Sequence, residues 1–137
     1  MGKISGGCLC CRIRFEAEGE PLIAVRCHCR DCQYVSGGEP AAAIVFPSDK
    51  VRCVKGEPHV FRSEADSGAG VYRSFCAECG TPLFAGNEQR PEGVVVKLGS
   101  LDEPAKYTPA LHIWTASARA WHHIDHSAPK FPKNVVP

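Results

Sequence analysis

Seven of the nine cysteines lie in three short clusters, and their spacing indicates metal binding. The clusters are Cys8-Leu9-Cys10, Cys27-His28-Cys29-Arg30-Asp31-Cys32 and Cys76-Ala77-Glu78-Cys79. Thiols two or three residues apart converge readily on one tetrahedral ion, with Zn–S bonds of roughly 2.3 Å. Seven thiols do not fill two four-sulfur sites. They do fill one closed structural site and one three-sulfur site with a vacant position, which is typical of catalytic zinc.

The middle cluster is the functional candidate. Cys27, Cys29 and Cys32 are close enough in sequence for one compact loop to bring all three sulfurs onto one ion. His28 lies between two of these cysteines, where the chain direction tends to turn its ring away. We therefore expect His28 to be exposed or hydrogen-bonded to the backbone. The alternative is a structural site that His28 or a remote histidine completes.

Strand periodicity separates the first cluster from the neighbouring Cys11. Apolar and charged residues alternate from Cys11 to Ala17, as in a half-buried strand. If this strand reaches back to Cys8, then Cys8 and Cys10 share one face and Cys11 lies on the other, as a small buried hydrophobic residue. The alternative is a C-x-x-C knuckle formed by Cys8 and Cys11, which needs a turn at the start of the strand.

The third cluster, Cys76 to Gly80, has the form of a metal-binding knuckle. Gly80 follows the second cysteine and permits the positive φ that such a turn commonly needs. A redox pair is the alternative, but the two other clusters and the absence of a βαβ pattern favour zinc. Cys53 stands alone in a predicted strand and is interpreted as a structural cysteine.

Composition and charge predict a soluble cytoplasmic protein. Sixteen Lys and Arg nearly balance fifteen Asp and Glu, so no strong field attracts nucleic acid or an anionic membrane. The amino terminus has no apolar run of the signal-peptide type. The longest apolar stretch, Ala41–Phe46, is too short to span a bilayer. Clustered cysteines without a secretory signal indicate a reducing compartment.

The pattern of short apolar runs predicts a mainly β fold. One zinc-binding domain is expected over residues 1–137, with a core at about 6–125, a carboxy-terminal tail at 126–137, and a possible short helical turn after Leu101 or near Ala116–Trp121. Besides the strand from Cys11, short antiparallel strands are predicted at Ala42–Phe46, Val51–Val54, His59–Arg62, Val71–Phe75, Pro82–Phe84 and Val94–Leu98.

Three longer motifs carry a family resemblance. Gly7-Cys8-Leu9-Cys10, Cys27–Gln33 with Ser36-Gly37, and Phe75–Leu83 together resemble the glutathione-dependent formaldehyde-activating enzyme family, whose domain is shared with centromere protein V. The resemblance implies a tent-like arrangement of sheets and two zinc ions per chain. It implies that one zinc is structural and the other lies at the active site. The implied structural ligands are Cys8, Cys10, Cys76 and Cys79, and the implied active-site ligands are Cys27, Cys29 and Cys32.

The same resemblance implies a carbon–sulfur lyase. The reaction would be the reversible addition of glutathione or a similar thiol to formaldehyde or a related aldehyde. Because glutathione carries two carboxylates, Arg26, Arg30 or Arg73 is a candidate contact for it, and the favoured interpretation of each one by itself is a solvated surface arginine. A non-catalytic zinc module that binds a thiol compound or a protein partner is the alternative. Cys11 departs from the family, which usually has glycine there. The histidines of the carboxy-terminal part are assigned no catalytic role.

Overall fold

The structure is a computed structural model, and it describes residues 2–135. Within this range the chain forms ten strands, one short α-helix and four 3₁₀ turns. The strands are β1 (Lys3–Gly7), β2 (Arg14–Glu18), β3 (Ile23–Cys27), β4 (Ala41–Pro47), β5 (Val51–Lys55), β6 (His59–Glu64), β7 (Gly70–Phe75), β8 (Pro82–Asn87), β9 (Gly93–Lys97) and β10 (Leu111–Ile113). The helix α1 is Arg30–Val35, and the 3₁₀ turns are Ser48–Lys50, Leu98–Ser100, Pro104–Lys106 and Thr115–Ser117.

The strands form two sheets, so the predicted mainly β fold is confirmed. One sheet has the order β1-β2-β5, and the other has the order β10-β3-β4-β9-β8-β7-β6. Every strand pair is antiparallel except β10 with β3, which is parallel. The parallel pair places the late segment 111–113 directly beside Cys27, at the end of β3.

The hydrophobic core lies between the three-stranded sheet and one face of the seven-stranded sheet. Phe15 of β2 meets Phe84 of β8 edge to face, with ring centroids 4.9 Å apart. Ile44 and Val96 are paired across β4 and β9, and both are fully buried in this core. Because directly opposed residues of an antiparallel pair share a face, their sequence neighbours lie on the opposite side of the sheet. We call that opposite side the outer face.

The structure differs from the sequence-based expectation at the first cluster. The strand begins at Arg14. Cys8 to Cys11 form a turn, which is closed by a 3.0 Å hydrogen bond from the Cys11 N–H to the Cys8 carbonyl. Cys11 is exposed and has a φ of +66°. The prediction that it is a buried hydrophobic residue is therefore wrong. The turn, and not strand parity, separates it from the first cluster.

Two further expectations concern the carboxy-terminal tail with the domain boundaries, and helices that could cross a membrane. Pro129 and residues 131–133 hydrogen-bond to the segment 112–116, so this part of the predicted tail lies against β10. Met1, Val136 and Pro137 lie outside the described residues, and the single-domain boundaries stay a prediction. In the stretch from 2 to 135, no helix has the length and apolar character needed to cross a membrane.

Candidate metal centres and their surroundings

Four sulfurs from two distant parts of the chain come together at the first centre. The Sγ atoms of Cys8, Cys10, Cys76 and Cys79 all lie within 4.8 Å of one another. The sulfurs of Cys8 and Cys10 are 3.6 Å apart, and those of Cys10 and Cys76 are 3.7 Å apart. Zn–S bonds of roughly 2.3 Å in a tetrahedron separate sulfurs by about 3.8 Å. This four-sulfur group could therefore hold a metal ion.

Two turns position these four thiols. The first follows β1, and the Ile13 N–H donates to Cys8 Sγ at 3.2 Å. The second follows β7, where the Cys79 N–H points at Cys76 Sγ at 3.5 Å. Gly80 has a φ of +79°, as the knuckle motif predicts. Backbone N–H groups aimed at sulfur stabilise its thiolate form, which is the form that binds a metal.

Thr81 links the two turns and acts on the charge of one thiol. Its hydroxyl accepts a hydrogen bond from the Leu9 N–H at 3.1 Å and lies 3.2 Å from Cys79 Sγ. Hydrogen bonds from the Thr81 side chain and backbone lower the pKa of Cys79 to about 5. Cys79 is therefore ionised at neutral pH before any metal arrives.

The second centre has three sulfurs and lies at the junction of β3 and α1. Cys27 ends β3, Cys29 caps the amino terminus of α1, and Cys32 is in the first turn of the helix. Their sulfurs lie within 4.8 Å of one another, and the Cys32 N–H donates to Cys29 Sγ at 3.3 Å. Across residues 2–135, no histidine or carboxylate joins either group at that distance. The three-sulfur group could hold a metal ion and leave a position for another ligand.

The three thiols share negative charge unequally. Hydrogen bonds from Cys27 and Cys32 lower the pKa of Cys29 to about 2, and the positive charge of Arg73 acts in the same direction. The interaction with the Cys29 thiolate raises the pKa of Cys27. Ionisation of one thiol therefore opposes ionisation of its neighbours. This is the ordinary behaviour of a cysteine metal site without its ion.

Two cations reach this group from the outer face of the seven-stranded sheet. The hydrogen bond with Cys27 and the charge of Lys97 of β9 lower the pKa of Cys32, although Cys29 and burial make the net shift of that pKa upward. Arg73 of β7 lies 3.6 Å from Asp31 and donates to Ser63 Oγ at 3.4 Å, and its side chain is only 19% exposed. Among the three candidate arginines, Arg73 is the one whose charge acts on a thiolate of the group.

Arg30 has other partners, and Arg26 faces solvent. The Arg30 guanidinium lies 4.7 Å from the centre of the Tyr34 ring and donates to Gln33 Oε1 at 2.6 Å. Arg26 is on β3 next to Cys27, and it is exposed. Its positive charge lowers the pKa of the buried His112.

The three cysteine motifs identify the family. The family model described as "Glutathione-dependent formaldehyde-activating enzyme" matches residues 3–117, well over half of the chain. The chain belongs to this family. A solved structure of a Rhodobacter sphaeroides protein is similar, with 24% identity over 72% of this chain and 87% of that chain, and with a TM-score of 0.57. At that identity the similarity supports the fold alone. No curated protein matches the chain.

In this member of the formaldehyde-activating family, the ring of His28 points away from the thiols. It is fully buried, with Nδ1 2.9 Å from His122 Nδ1 and Nε2 2.9 Å from His112 Nδ1. The prediction that His28 is exposed or bonded to the backbone is therefore wrong for the side chain. The physical reason is that two later histidines reach this ring: the parallel β10–β3 pair brings His112 beside the loop, and His122 arrives from the segment after β10, where it also contacts the Gly38 carbonyl. The three histidines form a chain of rings and not a chelate.

The proton positions in this row of histidines follow from the contact that His122 makes at one end of the row. The Gly38 carbonyl, 2.8 Å from His122 Nε2, can only accept a hydrogen bond, so that nitrogen carries the proton. His122 Nδ1 then accepts from His28 Nδ1–H, and His28 Nε2 accepts from His112 Nδ1–H. Burial lowers the pKa of His28 to about 4 and lowers that of His112 as well.

Sequence reasoning missed Gln33 and the role of the late histidines. Gln33 is only 2% exposed and contacts both the Cys27–Cys32 loop and the segment around Ser117. The available signal was weak, because Gln33 directly follows Cys32 but glutamine is usually a surface residue. His112 and His122 lack the spacing of a local metal motif, and only the tertiary fold brings them to His28.

Proposed function

We propose that this protein is a zinc-dependent carbon–sulfur lyase that adds glutathione, or a similar thiol, reversibly to formaldehyde or a related aldehyde. Membership of the formaldehyde-activating family supports the thiol and aldehyde theme. The observation that carries the proposal is the three-sulfur group, since Cys27, Cys29 and Cys32 converge and no fourth side chain joins them among the described residues. These three residues are the proposed catalytic metal ligands.

The chemistry of the donor set fits this proposal. Cys27, Cys29 and Cys32 would hold a zinc ion through three thiolates, and the ion would supply a position at which a substrate thiol is deprotonated. A free thiol of pKa ~8.5 is only about 3% ionised at pH 7, so ionisation alone raises the reactive fraction roughly 30-fold. The remaining acceleration must come from positioning the thiolate against the aldehyde carbon. Arg73 and Lys97 lie where they offset the negative charge that collects at the sulfurs.

The four-sulfur group has a separate, structural role in this proposal. Cys8, Cys10, Cys76 and Cys79 form a complete tetrahedral set and join the turn after β1 to the turn after β7. A second zinc ion there would leave no position for substrate. Two zinc ions per chain and a cytoplasmic location, where glutathione is abundant and thiols stay reduced, complete the proposal.

Turnover tests the proposed reaction directly. We expect the wild type to accelerate adduct formation between glutathione and formaldehyde, measured by exchange NMR at equilibrium. The Cys32→Ser variant should lose that acceleration about 100-fold or more, because a ligand of the proposed catalytic metal is gone. Cys53→Ser is the matched control, since Cys53 is exposed and belongs to neither group. We expect it to keep wild-type turnover.

Two results would contradict the lyase proposal. One is Cys32→Ser with wild-type turnover, which would separate the reaction from the three-sulfur group. The other is a wild type that binds two zinc ions and accelerates no reaction with any of a series of thiols and aldehydes. That second result would instead indicate a zinc-stabilised binding module.

A further inference from the structure

We propose that Gln33 is a positioning residue, which holds the Cys27–Cys32 loop in its metal-binding shape by joining it to the carboxy-terminal segment. This inference rests on the proposed metal at the three-sulfur group. Gln33 contacts no thiol of that group, so any effect on a metal would pass through the loop backbone. Its contact with the loop backbone is the bond from Gln33 Nε2 to the carbonyl of His28, 2.8 Å long, between the proposed ligands Cys27 and Cys29.

The side chain of Gln33 uses its full hydrogen-bonding capacity. Its two N–H donors go to the carbonyls of His28 and Ser117, at 2.8 and 2.9 Å. Its oxygen accepts from Arg30 at 2.6 Å and from Arg119 at 3.1 Å. An amide has two donors and two acceptor sites, and here all four are occupied. A fully satisfied buried amide has one preferred orientation, so it can fix the position of the backbone it contacts.

His28 provides a second attachment of the loop to the same segment. Its N–H donates to the Ile113 carbonyl at 3.0 Å, and its ring lies between His112 and His122. The loop is therefore attached through the backbone and side chain of one residue that lies between two proposed ligands. Gln33 and His28 therefore both attach this short stretch to the carboxy-terminal segment.

The loop needs such attachments because it has little intrinsic stability. The helix α1 has only six residues, and isolated helices shorter than about 12–15 residues are marginal in water. Ordering a residue's backbone costs about 1–2 kcal/mol. Contacts with residues 112–122 order the loop before the metal binds. Outer contacts of this kind typically change metal affinity by about 10–100-fold when they are removed.

Metal release separates this role from a general contribution to stability. Zinc transfer from the folded protein to a chromogenic chelator is expected in two phases, one from each sulfur group. We call the three-sulfur group the second site. Cys32→Ser should lack the phase from the second site, so it shows which phase belongs to which group. In Gln33→Met, which keeps the shape and loses all four hydrogen bonds, we expect second-site release to be about 10–100-fold faster. Release from the four-sulfur group should stay at the wild-type rate. Gln89→Met, at an exposed glutamine in the loop after β8, is the control.

A second variant identifies which hydrogen bonds matter. Gln33→Glu keeps the acceptors for Arg30 and Arg119 but places an oxygen against the carbonyls of His28 and Ser117. We expect it to release the second-site metal as fast as Gln33→Met does. If Gln33→Met does not fold, Arg119→Met is the alternative. It removes only the hydrogen bond that Arg119 donates to Gln33 Oε1, and we expect a smaller acceleration of zinc release, confined to the same phase.

The possible outcomes distinguish this inference from the proposed reaction. Second-site release within two-fold of the wild-type rate in Gln33→Met would overturn the inference. Equal acceleration of both phases would also overturn it, because that result indicates general destabilisation. Neither result bears on turnover. Conversely, a wild type that holds two zinc ions without turnover would overturn the proposed reaction and leave the Gln33 measurement fully interpretable.

Discussion

At the scale of single residues, the local backbone decides which cysteines can share an ion. Cys10 and Cys11 are adjacent, yet only Cys10 joins the four-sulfur group. Cys11 lies at the closing position of a turn, with a φ of +66° and an exposed side chain. Side chains other than glycine adopt this left-handed conformation at a cost of about 1 kcal/mol. Cys11 therefore strains the turn that carries two of the proposed ligands.

Replacing Cys11 by glycine should relieve that strain. We expect Cys11→Gly to be more stable than the wild type by a few tenths to about 1 kcal/mol, since the greater freedom of glycine in the unfolded chain cancels part of the gain. Thermal unfolding of the zinc-loaded proteins measures the difference. A lower melting temperature for Cys11→Gly would show that the thiol makes a stabilising contact. Cys53→Gly, in a strand, is the control and should be destabilised.

The buried His112 should make stability depend on pH. Burial lowers its pKa below the usual 6.5, and the positive charges of Arg26 and Lys130 act in the same direction. As pH falls below about 6.5, the unfolded chain takes up a proton that the folded chain resists. The free energy of unfolding should therefore fall between pH 7.5 and pH 5.5.

His112→Asn tests this pH dependence, because the asparagine amide can replace Nδ1–H as donor to His28 but does not titrate. We expect urea unfolding of the zinc-loaded variant to depend less on pH than that of the wild type. A variant with the wild-type dependence would mean that the loss of stability comes from other groups. His59→Asn is the control, since His59 is exposed and lies on the edge strand β6.

At the scale of elements, Asp102 ties the segment after β9 to the three-stranded sheet. Its carboxylate accepts from Ser5 Oγ at 2.7 Å and from Arg14 NH1 at 2.9 Å, and its N–H donates to the Ser5 carbonyl at 3.0 Å. The hydrogen bond from Arg14 and then that from Ser5 lower the pKa of Asp102. These contacts fix how β1 enters the turn of the first cysteine cluster.

Asp102→Asn should weaken this connection modestly. Because the pair is partly exposed, we expect a loss of only about 0.5–1 kcal/mol at pH 7. Chemical denaturation measures it against Asp49→Asn, an exposed aspartate in the 3₁₀ turn at Ser48–Lys50. Equal stabilities of the two variants would mean that solvent screening removes the contribution of the pair.

Sequence predicted the elements that have a clear local pattern and missed those that depend on distant contacts. The runs at Ala42–Phe46 and Val94–Leu98 correspond to β4 and β9, because buried central strands are rich in apolar residues. The strand β1, Lys3–Gly7, was missed because it ends in two glycines. There, a Cβ on Gly6 would come within 2.3 Å of the Ser100 carbonyl oxygen. Its strand conformation reflects close packing and not propensity.

The candidate site was likewise predictable only in part. The two groups of cysteines were identified from spacing and family resemblance, and the structure brings the same residues together. The contacts of Gln33 and the three histidines were not predictable, because they join residues 84 to 94 positions apart. No local pattern encodes such a meeting. It follows from the tertiary packing of β10 and the segment after it against β3 and α1.

At the scale of the whole molecule, the proposed structural zinc joins the beginning of the chain to its middle. Structural zinc sites contribute about 10–16 kcal/mol of binding free energy that is coupled to folding. Whole domains are stable by only about 5–15 kcal/mol. Removal of that zinc should therefore unfold the protein. We expect a strong chelator to abolish the cooperative thermal transition, and added zinc to restore it.

A metal-free protein that still melted cooperatively at a similar temperature would contradict this prediction. The core between the two sheets would then be sufficient for folding. Zinc-saturated chelator is the control, because it matches the solution composition but has no capacity left for the zinc of the protein. It should not change the melting temperature.

The division of seven thiols into a closed group and an open group is the central claim, and native mass spectrometry tests it most directly. The account predicts two zinc ions on the folded wild type and one on folded Cys32→Ser. It also predicts that Cys79→Ser loses the compact charge-state distribution of a folded chain. One zinc ion on the wild type, or two on Cys32→Ser, would contradict the claim.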